Sequence, residues 1–252
     1  TSGGELGIRG FVVALDAESG TEAWRTYTVP GPGEPGNESW PGESWRTGGA
    51  AVWIPGHYDA DLGLAYFGTG NPGPWIGDQR PGDNLYTNSV VALNADTGKL
   101  VWHFQFTPAD PYDYDAVQIP VLADIRRNNT EFKVMLWANR NGFYYVLDRE
   151  TGRFLRGRPF VRVNWADGLD DSGRPVETPQ PPGAPTYPGI QGGTNWYSPS
   201  YSPSTELFYI PAWEDYATVF HGEAQEYVPG RSFIGGRPNA FEPIPDAPTV
   251  PG

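Results

Sequence analysis

One short segment occurs three times along the 252-residue chain, and it limits the possible folds more than any other feature. The copies read VVALDAESGTEAW at residues 12–24, VVALNADTGKLVW at residues 90–102 and YVLDRETGRFL at residues 145–155. Each consists of an apolar run, an Asp/Asn-x-x-Ser/Thr-Gly turn and a second run. Gly accepts the positive φ of a tight turn, and Asp or Asn caps it. Each copy therefore predicts a β-hairpin.

Two further stretches, residues 58–67 and 201–210, place a turn before an apolar run and alternate with the first type. Repeated four-stranded antiparallel units are typical of a β-propeller, whose blades bury their faces against one another. The sequence therefore predicts an all-β fold, with residues 1–252 forming about three to four blades of a larger propeller. The repeats are unevenly spaced, and Pro- and Gly-rich insertions near residues 30–46 and 171–193 are interpreted as surface loops.

The composition excludes several classes of function. The 30 acidic and 17 basic side chains leave a formal charge of −13, which disfavours nucleic acid as a partner. There is no Cys, and no apolar run approaches the ~20 residues that span a bilayer. The chain starts at Thr1 without an initiator Met and ends in Pro-rich sequence, so we expect an internal part of a longer protein.

Several motifs, in order along the chain, carry a resemblance to a known family. They are SGGELGIRG at residues 2–10, GGAAVW at 48–53, GNPGPW at 70–75, DNLY at 83–86 and DPYDYD at 110–115. Together with the Trp-containing repeat, they resemble the methanol/ethanol dehydrogenase branch of the quinoprotein alcohol dehydrogenases. This resemblance implies a β-propeller enzyme that uses pyrroloquinoline quinone (PQQ) and a metal ion to oxidise a small primary alcohol, such as methanol or ethanol, to the aldehyde.

The resemblance also implies the residues around PQQ, a planar tricarboxylated quinone. Trp53 would lie under the quinone ring, where a rigid indole suits stacking. Arg140 would place a fixed cation at the quinone oxygens, and Trp75 would form a wall of the alcohol cavity. Further PQQ contacts are implied for Ser2, Gly3, Gly4 and, more weakly, Asn195.

Four side chains match the metal site of the family: Glu5, Asn71, Asp113 and Asp115. Carboxylate and amide oxygens suit a hard cation rather than zinc or copper. Asp115 matches the lanthanide-dependent members, and three carboxylates suit a lanthanide(III) ion better than the alternative, Ca²⁺. Asp113 also matches the proposed catalytic base, which takes the alcohol proton as hydride passes to PQQ.

Each of these residues also has a plainer interpretation. Glu5 could be an exposed acid near a terminus, Asn71 a turn cap, and Asp115 a solvated loop acid. Arg140 could lie on the surface at the end of a hairpin, and Trp53 could be a core residue. The four ligands and the indole are informative only as a set.

Three functional alternatives follow. The first is the alcohol dehydrogenase, which by resemblance is periplasmic and passes electrons to a cytochrome c. The second is a non-catalytic propeller scaffold, and the third is a PQQ-dependent dehydrogenase of another substrate class, such as sugars. The sequence leaves the oligomeric state open, a homodimer included. Because a propeller cut open exposes strand edges, we expect the 252 residues alone to fold poorly and to show little activity.

Overall fold

The computed structural model describes residues 3–75 and 79–236. These residues form fourteen β-strands and three short 3-10 helices, without an α-helix. The strands are β1 (Phe11–Leu15), β2 (Glu22–Tyr27), β3 (His57–Asp59), β4 (Leu64–Gly68), β5 (Ser89–Asn94), β6 (Leu100–Gln105), β7 (Val121–Arg127), β8 (Thr130–Ala138), β9 (Phe143–Asp148), β10 (Phe154–Pro159), β11 (Ala166–Leu169), β12 (Pro175–Glu177), β13 (Ser200–Ser202) and β14 (Leu207–Tyr209). The helices are Gly4–Leu6, Asn37–Ser39 and Ser44–Thr47.

The strands form two four-stranded antiparallel sheets, β3-β4-β5-β6 and β7-β8-β9-β10, which we call the first and second complete blades. The pairs β1-β2, β11-β12 and β13-β14 form two-stranded sheets. The three sequence repeats are the hairpins β1-β2, β5-β6 and β9-β10, as predicted. The two alternating stretches are the hairpins β3-β4 and β13-β14. The all-β prediction and the partial propeller are thus confirmed.

The tryptophan of one repeat packs on the turn of the next. The indole Nε1 of Trp24 donates to the carbonyl oxygen of Ala95 at 3.0 Å, and a Cβ built on Gly98 would lie 2.5 Å from the Trp24 ring. Trp102 covers Gly152 in the same way, with a ring atom 2.5 Å from the built Cβ. The turn glycine therefore provides both the positive φ and a flat surface for the indole.

The main core lies between the two complete blades. It is rich in aromatic side chains from both sheets, including Tyr66, Trp102, Trp137 and Tyr145. Such rings bury large areas and prefer offset or edge-to-face contacts, as in the 4.8 Å pair of Phe106 and Tyr145. Tyr114 and Ala116, from the segment between β6 and β7, also belong to this core.

The two insertions, which we expected to be surface loops, each contain some secondary structure and some buried side chains. In the first, Trp40 and Trp45 are buried with Val29 and Ala50, and the indole Nε1 of Trp40 donates to the Leu85 carbonyl at 2.5 Å. The second contains strand β12, which pairs with β11. The large apolar side chains of the first insertion thus form a small core of their own within Pro- and Gly-rich sequence. Within the described ranges, no helix has the length and hydropathy of a membrane span.

Candidate active site

Four of the predicted site residues lie together in the segments that connect strands. Asp115 accepts a hydrogen bond from the backbone N–H of Asn71 at 2.6 Å through Oδ1, and from Nη1 of Arg140 at 2.7 Å through Oδ2. Arg140 also donates from Nη2 to Oδ2 of Asp113 at 3.1 Å. All four are buried, with exposed fractions of 3–8%. Burial excludes the solvated-acid interpretation of Asp115 and the surface interpretation of Arg140.

Arg140 is held from the other side by a later loop. It lies in the turn between β8 and β9, and its Nη2 also donates to the carbonyl of Ile190. Its own carbonyl accepts from the N–H of Gly193 at 2.9 Å. A Cβ on Gly192 would lie 2.6 Å from the Cβ of Arg140, so the backbone approaches the arginine closely. The planar guanidinium is therefore fixed between two carboxylates and a carbonyl, a geometry that a lysine could not reproduce.

Asp113 lies in the segment between β6 and β7 with a φ of 61°, in the left-handed region. Its Oδ1 is buried and has no hydrogen-bond partner, while Oδ2 accepts from Arg140. Burial raises the pKa of Asp113 well above its usual value, and Arg140 opposes that shift. Burial likewise raises the pKa of Asp115 to about 6. Two buried carboxylates thus share one cation and carry an oxygen free to accept a proton or a metal ion.

Glu5 approaches the same cluster from the start of the described chain. It lies half-buried in the helix Gly4–Leu6, and its charge raises the pKa of both Asp113 and Asp115. A Cβ on Gly4 would lie 3.6 Å from Oδ1 of Asn71, so this turn packs against the Asn71 side chain. Gly3 precedes the helix with a φ of 90°, and Ser2 lies outside the described residues.

Close backbone contacts explain the glycine pair before Trp53. Gly49 bridges to Arg9 on one side and to Pro72 on the other, and a Cβ there would lie 2.6 Å from the Asn71 carbonyl. The N–H of Ala50 donates to that carbonyl at 3.0 Å, which aligns this segment with the Asn71 loop. Trp53 follows with 38% of its surface exposed, which argues against a core role and leaves an indole face accessible.

The remaining two predicted residues lie in neighbouring loops. Trp75 is 9% exposed, and its N–H donates to the Ile234 carbonyl at 2.8 Å. Asn195 is buried, but its Nδ2 donates to the carbonyl of Gln191 at 2.9 Å and its Oδ1 accepts from the N–H of Trp196. The polar atoms of Asn195 are thus engaged within its own loop.

Two residues that the sequence reasoning did not select hold these loops together. Arg80, only 3% exposed, donates to the carbonyls of Pro74 and Asp110, each at 2.6 Å, and to that of Trp75. Burial lowers the pKa of Arg80 to about 10. The carboxylate of Asp110 accepts from the N–H groups on both sides of Asp113. The motif DPYDYD carried a signal for Asp110, since Asp before Pro commonly caps a turn.

The donor set fits a hard cation chemically. Within residues 3–75 and 79–236, no group of three His, Cys, Asp or Glu side chains is gathered closely enough to hold a metal ion. Arg140 interposes its guanidinium between Asp113 and Asp115. Nevertheless, the buried and unpartnered Oδ1 of Asp113 is an oxygen ligand of the type that Ca²⁺ and lanthanides select. An accessible indole and a fixed guanidinium are likewise suited to a planar anionic quinone.

Comparison with known proteins places this geometry in context. Residues 4–159 match the PQQ family described as "Glucose/ethanol/alcohol dehydrogenase, beta-propeller domain". The quinoprotein alcohol dehydrogenase PedH of Pseudomonas putida is 40% identical over 93% of this chain and 44% of its own length. The lanthanide-dependent methanol dehydrogenase of Methylacidiphilum fumariolicum is 37% identical over 93% of this chain and 42% of its own length.

Solved structures give the same result. A europium-containing methanol dehydrogenase superposes with a TM-score of 0.88 and 36% identity, covering 94% of this chain and 46% of that one. The quinohemoprotein alcohol dehydrogenase of Comamonas testosteroni superposes with a TM-score of 0.82 and 40% identity, covering 88% and 36% respectively. The chain therefore spans less than half the length of these relatives.

Proposed function

Because this chain belongs to the family of PQQ-dependent alcohol dehydrogenases with a β-propeller domain, we propose that the complete protein oxidises a small primary alcohol to the aldehyde. The observation that carries the proposal is the buried contact of Asp113, Asp115, Arg140 and Asn71, four residues from three loops. Burying two carboxylates, one of which leaves an oxygen without a hydrogen-bond partner, has a desolvation cost that a catalytic role explains better than a scaffold role does.

Asp113 is the proposed general base. Its Oδ1 has no hydrogen-bond partner, while Oδ2 is held by Arg140, so one oxygen is oriented and the other is free to take the hydroxyl proton. Burial raises the pKa of Asp113, and nearby positive charge counters that shift. Arg140 supplies part of this charge, and a bound cation would supply more.

Glu5, Asn71, Asp113 and Asp115 are the proposed ligands of the metal ion. Three carboxylates favour a trivalent lanthanide over Ca²⁺, which would be over-neutralised. In this arrangement Arg140 would contact the quinone oxygens as well as the carboxylates. When bound, PQQ supplies the carbonyl carbon that accepts hydride, and the cation polarises that carbonyl.

Further contacts to the quinone and the alcohol are proposed for other residues. Trp53 would stack on the quinone, while Ser2, Gly3 and Gly4 would bind its polar groups. Asn195 is a weaker proposed contact, because its own loop occupies its polar atoms. Trp75 would close the alcohol cavity and exclude water from the reacting atoms.

The relatives are bacterial quinoprotein dehydrogenases, and some of them are quinohemoproteins. We therefore propose a periplasmic location and a cytochrome c as the electron acceptor. A homodimer is compatible with this function and stays a prediction.

Dye-linked oxidation of methanol and ethanol by the full-length protein, loaded with PQQ and either La³⁺ or Ca²⁺, tests the proposal. We expect turnover with La³⁺, and a loss of about 10²–10⁴-fold in kcat for Asp113→Asn. Asp59→Asn is the matched control, since Asp59 is equally buried and also pairs with an arginine, at a distance from the cluster. Activity with Ca²⁺ but not with La³⁺ would contradict the lanthanide assignment. Oxidation of sugars but not of alcohols would contradict the proposed substrate class. The absence of any PQQ-dependent oxidation would contradict the proposed enzyme activity.

A further inference from the structure

A third buried carboxylate, that of Asp110, binds the backbone around Asp113. Asp110 is fully buried, and its Oδ1 accepts from the N–H of Tyr112 at 2.8 Å. Its Oδ2 accepts from the N–H of Tyr114 at 2.7 Å and from Nδ2 of Asn88 at 2.7 Å. The two amides flank Asp113 in sequence, so one carboxylate holds the chain on both sides of the proposed base.

This clamp matters because Asp113 adopts an uncommon backbone conformation. Its φ of 61° lies in the left-handed region, which disfavours residues with a Cβ. Such a conformation persists only where surrounding contacts enforce it. The hydrogen bonds of Tyr112 and Tyr114 to Asp110 are those contacts, and they aim the Asp113 carboxylate at Arg140.

Arg80 couples this clamp to the wall of the proposed alcohol cavity. Its guanidinium donates to the carbonyls of Trp75 and Asp110, and through Nη1 to Oδ1 of Asn84 at 2.7 Å. A single buried side chain thus joins the Trp75 loop to the loop of Asp113. Both partners are shielded from water, since Arg80 is 3% and Asn84 is 0% exposed.

We propose that Asp110 is a positioning residue that sets the Asp113 carboxylate for proton abstraction, and that Arg80 fixes Trp75 relative to it. The expected effect on proton abstraction rests on the proposed function. The positioning of Asp113 by Asp110 does not depend on it. A displacement of about 1 Å at a reacting group can lower a rate by ~10²-fold, so the clamp acts on kcat.

Asp110→Asn is a near-isosteric test. An amide has one accepting oxygen, and its NH2 group would face a backbone N–H whichever way the side chain is turned. One of the two amides that flank Asp113 therefore loses its acceptor. Asp59→Asn is the matched control, because Asp59 is buried and accepts from the N–H groups of Asp61 and Leu62 in a turn away from the cluster.

The experiment compares the two variants in the full-length protein loaded with PQQ and La³⁺. We expect Asp110→Asn to lower kcat for ethanol by at least about 10-fold with KM changed less than about 3-fold. Asp59→Asn should lower the melting temperature at least as much, yet keep kcat within about 2-fold. Arg80→Lys keeps the charge but loses the planar set of N–H donors that binds several carbonyls at once. Because this change should loosen the Trp75 wall of the proposed alcohol cavity, we expect it mainly to raise KM. Equal kcat values for Asp110→Asn and wild type, or parallel losses in both Asn variants, would overturn the inference.

Two further measurements keep the test decisive. If Asp110→Asn does not fold, Asn88→Ala removes one hydrogen bond to Asp110, and an unchanged kcat in that variant contradicts the proposal. A crystal structure of Asp110→Asn should show Asp113 out of the left-handed region and beyond hydrogen-bond distance of Arg140. An unchanged Asp113 overturns the inference whether or not the protein oxidises alcohols, whereas an inactive wild type with a displaced Asp113 in the variant overturns only the proposed function.

Discussion

Single residues in the candidate site are governed by burial and by the shared cation. Asp113 and Asp115 would repel each other without Arg140, which donates to both. Burial nevertheless dominates and raises the pKa of each carboxyl. We expect this site to attract a cation, because added positive charge would offset both the desolvation cost and the repulsion between the carboxylates.

Asp115→Ala should change the choice of metal. We expect the affinity of the full-length protein for a lanthanide to fall by at least about 10-fold, and more than its affinity for Ca²⁺, because one of three carboxylates is lost. Eu³⁺ luminescence titration with Ca²⁺ competition measures both. Asp96→Ala, which removes an exposed turn acid, should leave both affinities unchanged. An identical Eu³⁺/Ca²⁺ ratio in Asp115→Ala and wild type would contradict the ligand role.

The ion pair of Asp83 and Arg174 gives a prediction for pH. Arg174 donates to Asp83 at 2.8 Å twice, and its hydrogen bonds lower the pKa of Asp83 below the usual 3.8. A lowered folded-state pKa stabilises the protein above pH ~4, and that stabilisation is lost as the pH falls through the folded value. Since both side chains are nearly half exposed, Asp83→Asn should cost under about 1 kcal/mol at pH 7. Urea unfolding should show this cost shrinking below pH 4, and a cost that grows on acidification would refute it.

At the scale of strands and turns, the repeated hairpin is the unit that docks one blade on the next. Trp24 and Trp102 each cover the turn glycine of the following repeat. The hydrogen bond that the turn carbonyl accepts has a different donor in the two copies. Ala95 accepts from the Trp24 indole, whereas the equivalent carbonyl, of Arg149, accepts from the hydroxyl of Tyr66 at 2.7 Å.

Gly98→Ala should therefore destabilise the protein beyond the backbone effect. Positive φ costs about 1–2 kcal/mol for Ala, and the collision with Trp24 at 2.5 Å adds about 1–3 kcal/mol. Gly63→Ala is the matched control, with a φ of 63° and nothing within 4 Å of the built Cβ. Chemical denaturation of both variants measures the difference, and equal losses would contradict the docking role.

The two tryptophans should respond differently to Phe. Trp24→Phe leaves the Ala95 carbonyl without its donor and should cost about 1 kcal/mol more than Trp102→Phe. Trp102→Phe removes an indole N–H that is buried and has no partner, which offsets part of the lost packing. Thermal unfolding of the two variants in the full-length protein measures both losses of stability. A greater loss in Trp102→Phe than in Trp24→Phe would contradict the prediction.

Prediction from the sequence succeeded where the determining chemistry is local. Each hairpin is set by a turn of a few residues. It failed where distant loops meet. The role of Arg80 depends on carbonyls up to 30 positions away, and the burial of Trp40 depends on the Leu85 carbonyl. Neither pairing leaves a periodic signal in the sequence.

At the scale of the whole molecule, the described residues have a large buried cluster between the two complete blades. The aromatic core joins the two complete blades, and the buried guanidinium of Arg149 adds contacts to Asp59 at 2.7 Å and Asp124 at 2.6 Å. In contrast, the hairpins β1-β2 and β13-β14 leave Leu15 and Leu207 more than half exposed. Two-stranded sheets are only marginally stable by themselves.

Hydrogen exchange of the 252-residue chain prepared alone should reflect this difference. We expect amides in β4, β5, β8 and β9 to exchange far more slowly than those in β1-β2 and β13-β14. The full-length protein should protect the outer hairpins as well. Uniform protection along the isolated chain would show that the residues form a self-sufficient fold, contrary to our expectation.

The central claim is that Glu5, Asn71, Asp113 and Asp115 surround one hard cation beside Arg140. An anomalous-difference map from crystals of the full-length protein with PQQ and a lanthanide tests it most directly. We predict one peak about 2.3–2.6 Å from oxygens of all four side chains, with Trp53 under the quinone. A lanthanide peak elsewhere, with none between these four side chains, would contradict the claim.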